Sequence, residues 1–295
     1  MVTTDDRRAA STLGEHPEPE QPIEHESGLD RLVVAALVGF SASLIAAFWV
    51  PTLSDGLMTD ELLSAWVSSE GVVDAVDRAF THQGNSPLYF VLLWAWRAVV
   101  GSSELMLRLP SVLCIAAAAY HLARLGIELD GGRRLTGVTA AFVLLANTDV
   151  MLAGVTARPY ALLLLSVVVS ARALVHFLHD GRWRCGLVWV LAAGVSMLMS
   201  PFAALVLPAH LVVLADAARG RRITPFGSPT PSVDSHLWQR RMPGLLALGA
   251  LATSPLVPQA LALARRSQEL VLVGVPDVAD LVEALVPVPL LAAVA

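Results

Sequence analysis

Ser86–Val100 reads SPLYFVLLWAWRAVV, and whether this stretch crosses a membrane decides the topology of everything after it. It is apolar enough to enter a bilayer. It is also shorter than the roughly 20 residues that span a ~30 Å hydrocarbon core, and it carries Arg97. All twenty basic residues of the chain are arginine, so the arginines can test the two readings. With Ser86–Val100 lying flat, thirteen of them fall on the cytoplasmic side (at 7, 8, 31, 124, 133, 134, 182, 184, 219, 221, 222, 240 and 241) against six outside. If the stretch spans, every later loop flips and the count becomes eight inside and eleven outside. Cytoplasmic loops carry the basic excess, so Ser86–Val100 is expected to be a flat, interfacial helix.

The rest of the chain is read outward from there. It is 55% hydrophobic and 15% charged, with mean hydropathy +0.63. Soluble domains hold about 45–50% apolar and about 25% charged residues, so this is an all-α integral membrane protein. Spans are expected at Leu32–Val50, Pro110–Leu125, Leu135–Ala153, Tyr160–Phe177 and Pro243–Ala264. The apolar run Gly186–Asp216 is 31 residues long, or ~46 Å as one helix at about 1.5 Å per residue, too long for one crossing. Met199-Ser200-Pro201 near its middle splits it into a short pair, because proline cannot continue the helical ladder. About seven transmembrane helices result, with a cytoplasmic N-terminus.

Residues 1–28 hold seven acids against Arg7 and Arg8 and little apolar content, which reads as a disordered cytoplasmic tail without a signal-peptide pattern. Residues 29–295 form the transmembrane domain, with an extracytoplasmic loop at 51–109 and a cytoplasmic loop at 217–241. The closing VPVPLLAAVA reads as the approach to another span, so a truncated chain is expected. Cys114 and Cys185, 71 positions apart, offer neither a disulfide framework nor a CxxC metal site. They read as small buried hydrophobes.

The 51–109 loop concentrates the chemistry. MTDELLSAW (Met58–Trp66) sets the acidic pair Asp60 and Glu61 just past the first span, and THQGNSPLYF (Thr81–Phe90) follows in the same loop. Acids held at a membrane surface point to a lipid-linked substrate. Leu62, Leu63, Trp66, Val67, Val72, Val73 and Val76 repeat at helical spacing, giving an amphipathic helix interrupted near Gly71. Tyr89, Trp94 and Trp96 are expected to anchor the second flat helix at the interface. Arg158, at the mouth of a span before Pro159, can clamp a phosphate or snorkel. Tyr160 stacks on substrate or joins the aromatic belt. Arg108 joins a phosphate site or anchors its span. His82 contacts phosphate or acceptor, or is merely hydrated. On a helix Glu61 points about 100° from Asp60, as a solvated acid or an arginine's partner. His121, His176 and His210 read as packing or interfacial residues.

The acidic pair, a Pro-Leu-Tyr cluster, ELMLRLPSVL (Glu104–Leu113) and TARPYALLLL (Thr156–Leu165) follow in that order. This order resembles the GT-C membrane glycosyltransferases: protein O-mannosyltransferases, lipid A aminoarabinose transferases and actinobacterial mannosyltransferases of that kind. The resemblance covers Leu32–Leu178 well and the remainder only as hydropathy. It implies an inverting transferase that uses a polyprenyl-phosphate sugar, most often mannose, and acts on a glycan, lipid or protein acceptor. It also implies that Asp60 is the catalytic carboxylate, with Glu61 second. A helix cap is the competing role for Asp60. Asn85-Ser86-Pro87-Leu88 stands where the family has His-Pro-Pro-Leu, which makes Asn85 a substrate-binding candidate. Gly84 stands where some relatives carry a second acid, so this loop argues against a metal site; no cofactor is expected, with a divalent metal left open. Nothing in the chain has the pattern of a nucleotide or nucleic-acid site. The alternatives are a transporter or flippase of a lipid-linked intermediate, or an inactive transferase remnant.

Overall fold

A long apolar segment entering a membrane must satisfy its polar groups within itself, and the first helix shows how. Along α1 (Gly28–Ser54) the hydroxyls of Ser41, Ser43 and Thr52 donate to the carbonyls four residues back, at 2.8, 2.9 and 2.7 Å. The computed structural model describes residues 28–83, 86–219, 235–259 and 261, and in these it consists of helices joined by short turns, without strands. The acidic tail, Asn85, most of the 217–241 loop and the closing VPVPLLAAVA lie outside the described residues.

After α1 come two short helices, α2 (Thr59–Val67) and α3 (Val72–Arg78), parted at Gly71 as the sequence indicates. A π-helical turn at Ala79–Gln83 leads to α4 (Pro87–Val100). At 14 residues, α4 is ~21 Å long by about 1.5 Å per residue, less than a bilayer core. Arg97 is accommodated by pinning α4 to α2: its guanidinium donates to the Ala65 carbonyl, to Ser68 Oγ at 3.0 Å and to Ser102 Oγ at 3.2 Å.

α5 (Glu104–Leu129) begins six residues before the expected Pro110. Proline inside a helix leaves the carbonyl four residues back without its N–H partner. Here the orphan is the Met106 carbonyl, and the indole N–H of Trp96 donates to it at 2.8 Å. Ser103 Oγ accepts the Met106 N–H at 3.4 Å and caps the helix start. Trp96 and Trp94, whose indole donates to the Glu70 carbonyl at 2.8 Å, therefore tie the loop together. Tyr89, expected at the interface, is instead buried in the core.

The expected single span Leu135–Ala153 is broken. It forms α6 (Arg134–Leu145) and α7 (Thr148–Val155), bent by 72°. Asn147 Oδ1 accepts the N–H groups of Asp149 and Val150 at 2.9 and 3.2 Å, which starts a new helix. α8 (Tyr160–Asp180) follows. The 31-residue run splits where expected: α9 (Trp183–Met199), a 3-10 turn at Pro201–Leu205, then α10 (Val206–Ala218). α11 (Ser235–Thr253) starts eight residues earlier than expected. Of the described helices, α1, α5 and α8 are each long and apolar enough to cross a membrane, or four spans if the bent α6–α7 pair counts as one. α4, α9 and Phe202–Ala218 are shorter apolar helices.

α5 and α6 approach closely through Gly137, where a Cβ atom would lie 2.3 Å from the Ala123 carbonyl oxygen. Near their ends away from the acidic pair, α5 and α8 are joined by Arg172, which grips Glu128 at 3.0 and 2.6 Å and His121 at 3.1 Å, with His176 on Glu128 at 3.0 Å. Trp189 donates to His210 at 3.3 Å. Val67, Tyr89, Phe90, Leu107, Ala157 and Met199 form a core cluster beneath the α2–α4 region.

Candidate active site

Two neighbouring acids of α2 take two arginines into opposite environments. α2 starts in a way that commits Glu61 inward. As the third residue of the helix, its Oε2 reaches back to accept the Met58 N–H at 3.0 Å, a backbone donor otherwise left open at a helix start. Oε2 also accepts Arg108 Nη2 at 2.7 Å, and Oε1 accepts Arg108 Nε at 2.9 Å and the Ala157 N–H at 2.9 Å. The Arg108 and Glu61 side chains are 1% and 0% exposed. Burial pushes the Glu61 carboxyl up, but the hydrogen bonds from Arg108, Met58 and Ala157 outweigh it and hold it below its ordinary range.

Arg108 has its remaining donors on backbone carbonyls at the end of α1: Thr52 at 2.7 Å, Asp55 at 2.8 Å and Gly56 at 3.1 Å. All five guanidinium N–H groups are thereby engaged. This one ion pair joins α1, α2, α5 and the α7–α8 junction. Ser111 Oγ adds a bond to the Thr156 carbonyl at 2.6 Å, so the backbone on the N-terminal side of Arg158 is fixed at Thr156 and at Ala157.

The second pair is open to solvent. Arg158 Nη1 meets Asp60 Oδ2 at 2.8 Å, with side chains 35% and 59% exposed. The Arg158 guanidinium also lies 4.9 Å from the centre of the Tyr160 ring, within cation–π range. Asp60, Arg158 and Tyr160, expected from sequence as site residues, are thus brought together. They are set at the end of the bundle where α1 finishes and α5 and α8 begin.

The other candidate positions have these surroundings. Of the two roles expected for Glu61 the structure shows the arginine's partner and not the solvated acid, because its four acceptor positions are filled from within the protein. Arg108 presents its donors to Glu61 and carbonyls. His82 packs edge-on against Trp66 at 4.9 Å, and Arg78 covers the same ring at 4.6 Å. Ser86, in a left-handed backbone conformation at φ 55°, donates its hydroxyl to the Met199 carbonyl. This ties the Ser86-Pro87-Leu88 segment to the break in the long run. Sequence reading missed the carbonyl cage at Thr52, Asp55 and Gly56; turn residues right after a span were the available signal. Among the described residues no group of three or more His, Cys, Asp or Glu side chains is arranged to hold a metal ion.

A family model described as dolichyl-phosphate-mannose-protein mannosyltransferase matches residues 84–231, half of the chain. The chain belongs to that family. The matched region of this mannosyltransferase-family protein contains α4 to α10, and with them Tyr89, Arg108, Arg158 and Tyr160; Asp60 and Glu61 precede it. No curated protein and no solved structure matches the chain. Membership supports a membrane glycosyltransferase function of the lipid-phosphate-mannose-dependent kind.

Proposed function

We propose that this protein transfers a sugar, mannose by family, from a polyprenyl phosphate to an acceptor hydroxyl on the extracytoplasmic face, with inversion at the anomeric carbon. The observation that carries the reading is the exposed Asp60–Arg158 pair, 2.8 Å across, beside the buried Glu61–Arg108 pair that positions both of its elements. A carboxylate and a guanidinium in open contact are complementary to a hydroxyl losing a proton and a phosphate gaining charge. In the reaction, the acceptor oxygen forms a bond to the anomeric carbon as the bond from that carbon to the phosphate oxygen breaks. The acceptor's proton passes to Asp60, and the lipid phosphate leaves as an anion held by Arg158. A positioned base is worth about 10²–10⁴-fold. No acid is needed for the leaving group, so one carboxylate suffices.

In this reading Glu61 and Arg108 position rather than touch substrate, because their hydrogen-bonding groups are occupied. Tyr160 orients the Arg158 guanidinium from its ring face. His82 and Trp66 form the exposed edge where an acceptor arrives. The arginine distribution supports a cytoplasmic N-terminus and an outward-facing site.

The test is to supply membranes containing the full chain with polyprenyl-phosphomannose labelled in the sugar. Label should move to an acceptor, and the new linkage should have the anomeric configuration opposite to the donor's. Retained configuration, or label moving only from a sugar nucleotide, contradicts the proposal.

A further inference from the structure

Tyr89 is the third residue of α4, in its first turn, with its side chain in the core beneath the site. It is 5% exposed, and its hydroxyl is buried without a hydrogen-bond partner among the described residues. Buried hydroxyls nearly always have a partner, and leaving one unpaired costs stability. A tyrosine kept there where phenylalanine fills the same space therefore calls for an acceptor that arrives from outside.

Its surroundings say what kind of acceptor. Tyr89 packs in one cluster with Leu107 and Ala157, the chain neighbours of Arg108 and Arg158. Glu61 cannot be the partner, since both its oxygens are already taken by Arg108, Met58 and Ala157. Burial, then Cys114 and Glu61, push the hydroxyl far up from its ordinary value, with Arg158 opposing. Tyr89 is therefore a proton donor and not an anion at physiological pH. A neutral donor packed among the chain neighbours of Arg108 and Arg158 suits an anionic oxygen that Arg158 attracts.

We propose that the Tyr89 hydroxyl donates a hydrogen bond to a phosphate oxygen of the polyprenyl-phosphate donor when that phosphate displaces Asp60 from Arg158. The assignment rests on the proposed function and adds a buried contact to it: Arg158 takes the phosphate at the surface and Tyr89 from beneath. Separation of Arg158 from Asp60 also frees the Asp60 carboxylate for the acceptor hydroxyl.

The experiment uses the full chain in nanodiscs, titrated with polyprenyl monophosphate, comparing wild type with Tyr89→Phe and recording each variant's unfolding midpoint. Tyr89→Phe should bind roughly tenfold more weakly, as expected for a lost hydrogen bond to a charged group, with a midpoint equal to wild type or higher. Equal binding by the two proteins overturns the assignment. So does a lowered midpoint, which would mean that the hydroxyl has a partner within the protein. Failure of the wild type itself to bind polyprenyl monophosphate overturns the proposed function, and the Tyr89 assignment with it.

Discussion

Arg108 faces Glu61 across two hydrogen bonds of 2.9 and 2.7 Å, in a position where neither side chain meets solvent. The residues are 47 positions apart, and their pairing closes the end of the bundle that carries the exposed Asp60–Arg158 pair. Taking two charges out of water is costly, and the cost is offset here because every oxygen and every N–H group of the pair has a partner. The arrangement works as a whole, so loss of either member leaves an uncompensated buried charge.

Replacing Glu61 with Ala should therefore destabilise the protein by about 3–5 kcal/mol, as breaking buried pairs does. Arg108→Lys should also fail to restore wild-type stability, because an ammonium cannot reproduce the five-donor fork. Unfolding midpoints in detergent check both. A wild-type midpoint for Arg108→Lys would show that the carbonyl cage at Thr52, Asp55 and Gly56 contributes little.

The same pair predicts an acid limb of stability. Glu61 titrates below its ordinary value of 4.5 in the folded protein. A carboxyl held down by folding contributes stability that is present above the unfolded value and lost as pH falls through the folded one. The wild-type midpoint should fall below about pH 4.5. Glu61→Gln should start lower at neutral pH and fall less steeply. Parallel pH profiles would contradict the assignment.

Trp96 and Pro110 should be coupled. Trp96→Phe strands the Met106 carbonyl and should cost about 1–3 kcal/mol. With Pro110→Ala in the background, residue 110 regains the N–H that closes the helix onto Met106, and the cost of Trp96→Phe should shrink. A double-mutant cycle on unfolding midpoints measures this; additive effects would sink the explanation.

Arg158→Ala should weaken donor use more than folding. Loss of charge-assisted hydrogen bonds to phosphate at about 1.5–3 kcal/mol corresponds to roughly a tenfold to hundredfold rise in donor KM. The unfolding midpoint should stay near wild type, because the exposed Asp60–Arg158 pair contributes little stability. Steady-state transfer against donor concentration separates the two effects.

Much of this was legible in the sequence for local reasons. Met199-Ser200-Pro201 marks a helix break by proline chemistry alone. Asp60, Arg158 and Tyr160 stand out as polar or aromatic groups at the ends of apolar runs. The α6–α7 break was also locally signalled, by Asn147-Thr148-Asp149, but the hydropathy of Leu135–Ala153 obscured it. The inward turn of Glu61 was less accessible. Its helix position shows only that it points away from Asp60, and its partners lie at Arg108 and Ala157, far along the chain. Tyr89 was misplaced for a related reason. Aromatic residues at the start of a flat helix read as interfacial anchors, and only packing with Leu107 and Ala157 puts this one inside.

The most direct test of the central claim is mannose transfer from polyprenyl-phosphomannose by Asp60→Asn and wild type, at matched expression in membranes lacking other transfer activity. Asparagine keeps the size of the side chain and can still meet Arg158, but it cannot take a proton. The expected result is that the variant binds polyprenyl monophosphate at least as tightly as wild type while its transfer rate falls by about 10²–10⁴-fold. Transfer at the wild-type rate by Asp60→Asn would contradict it.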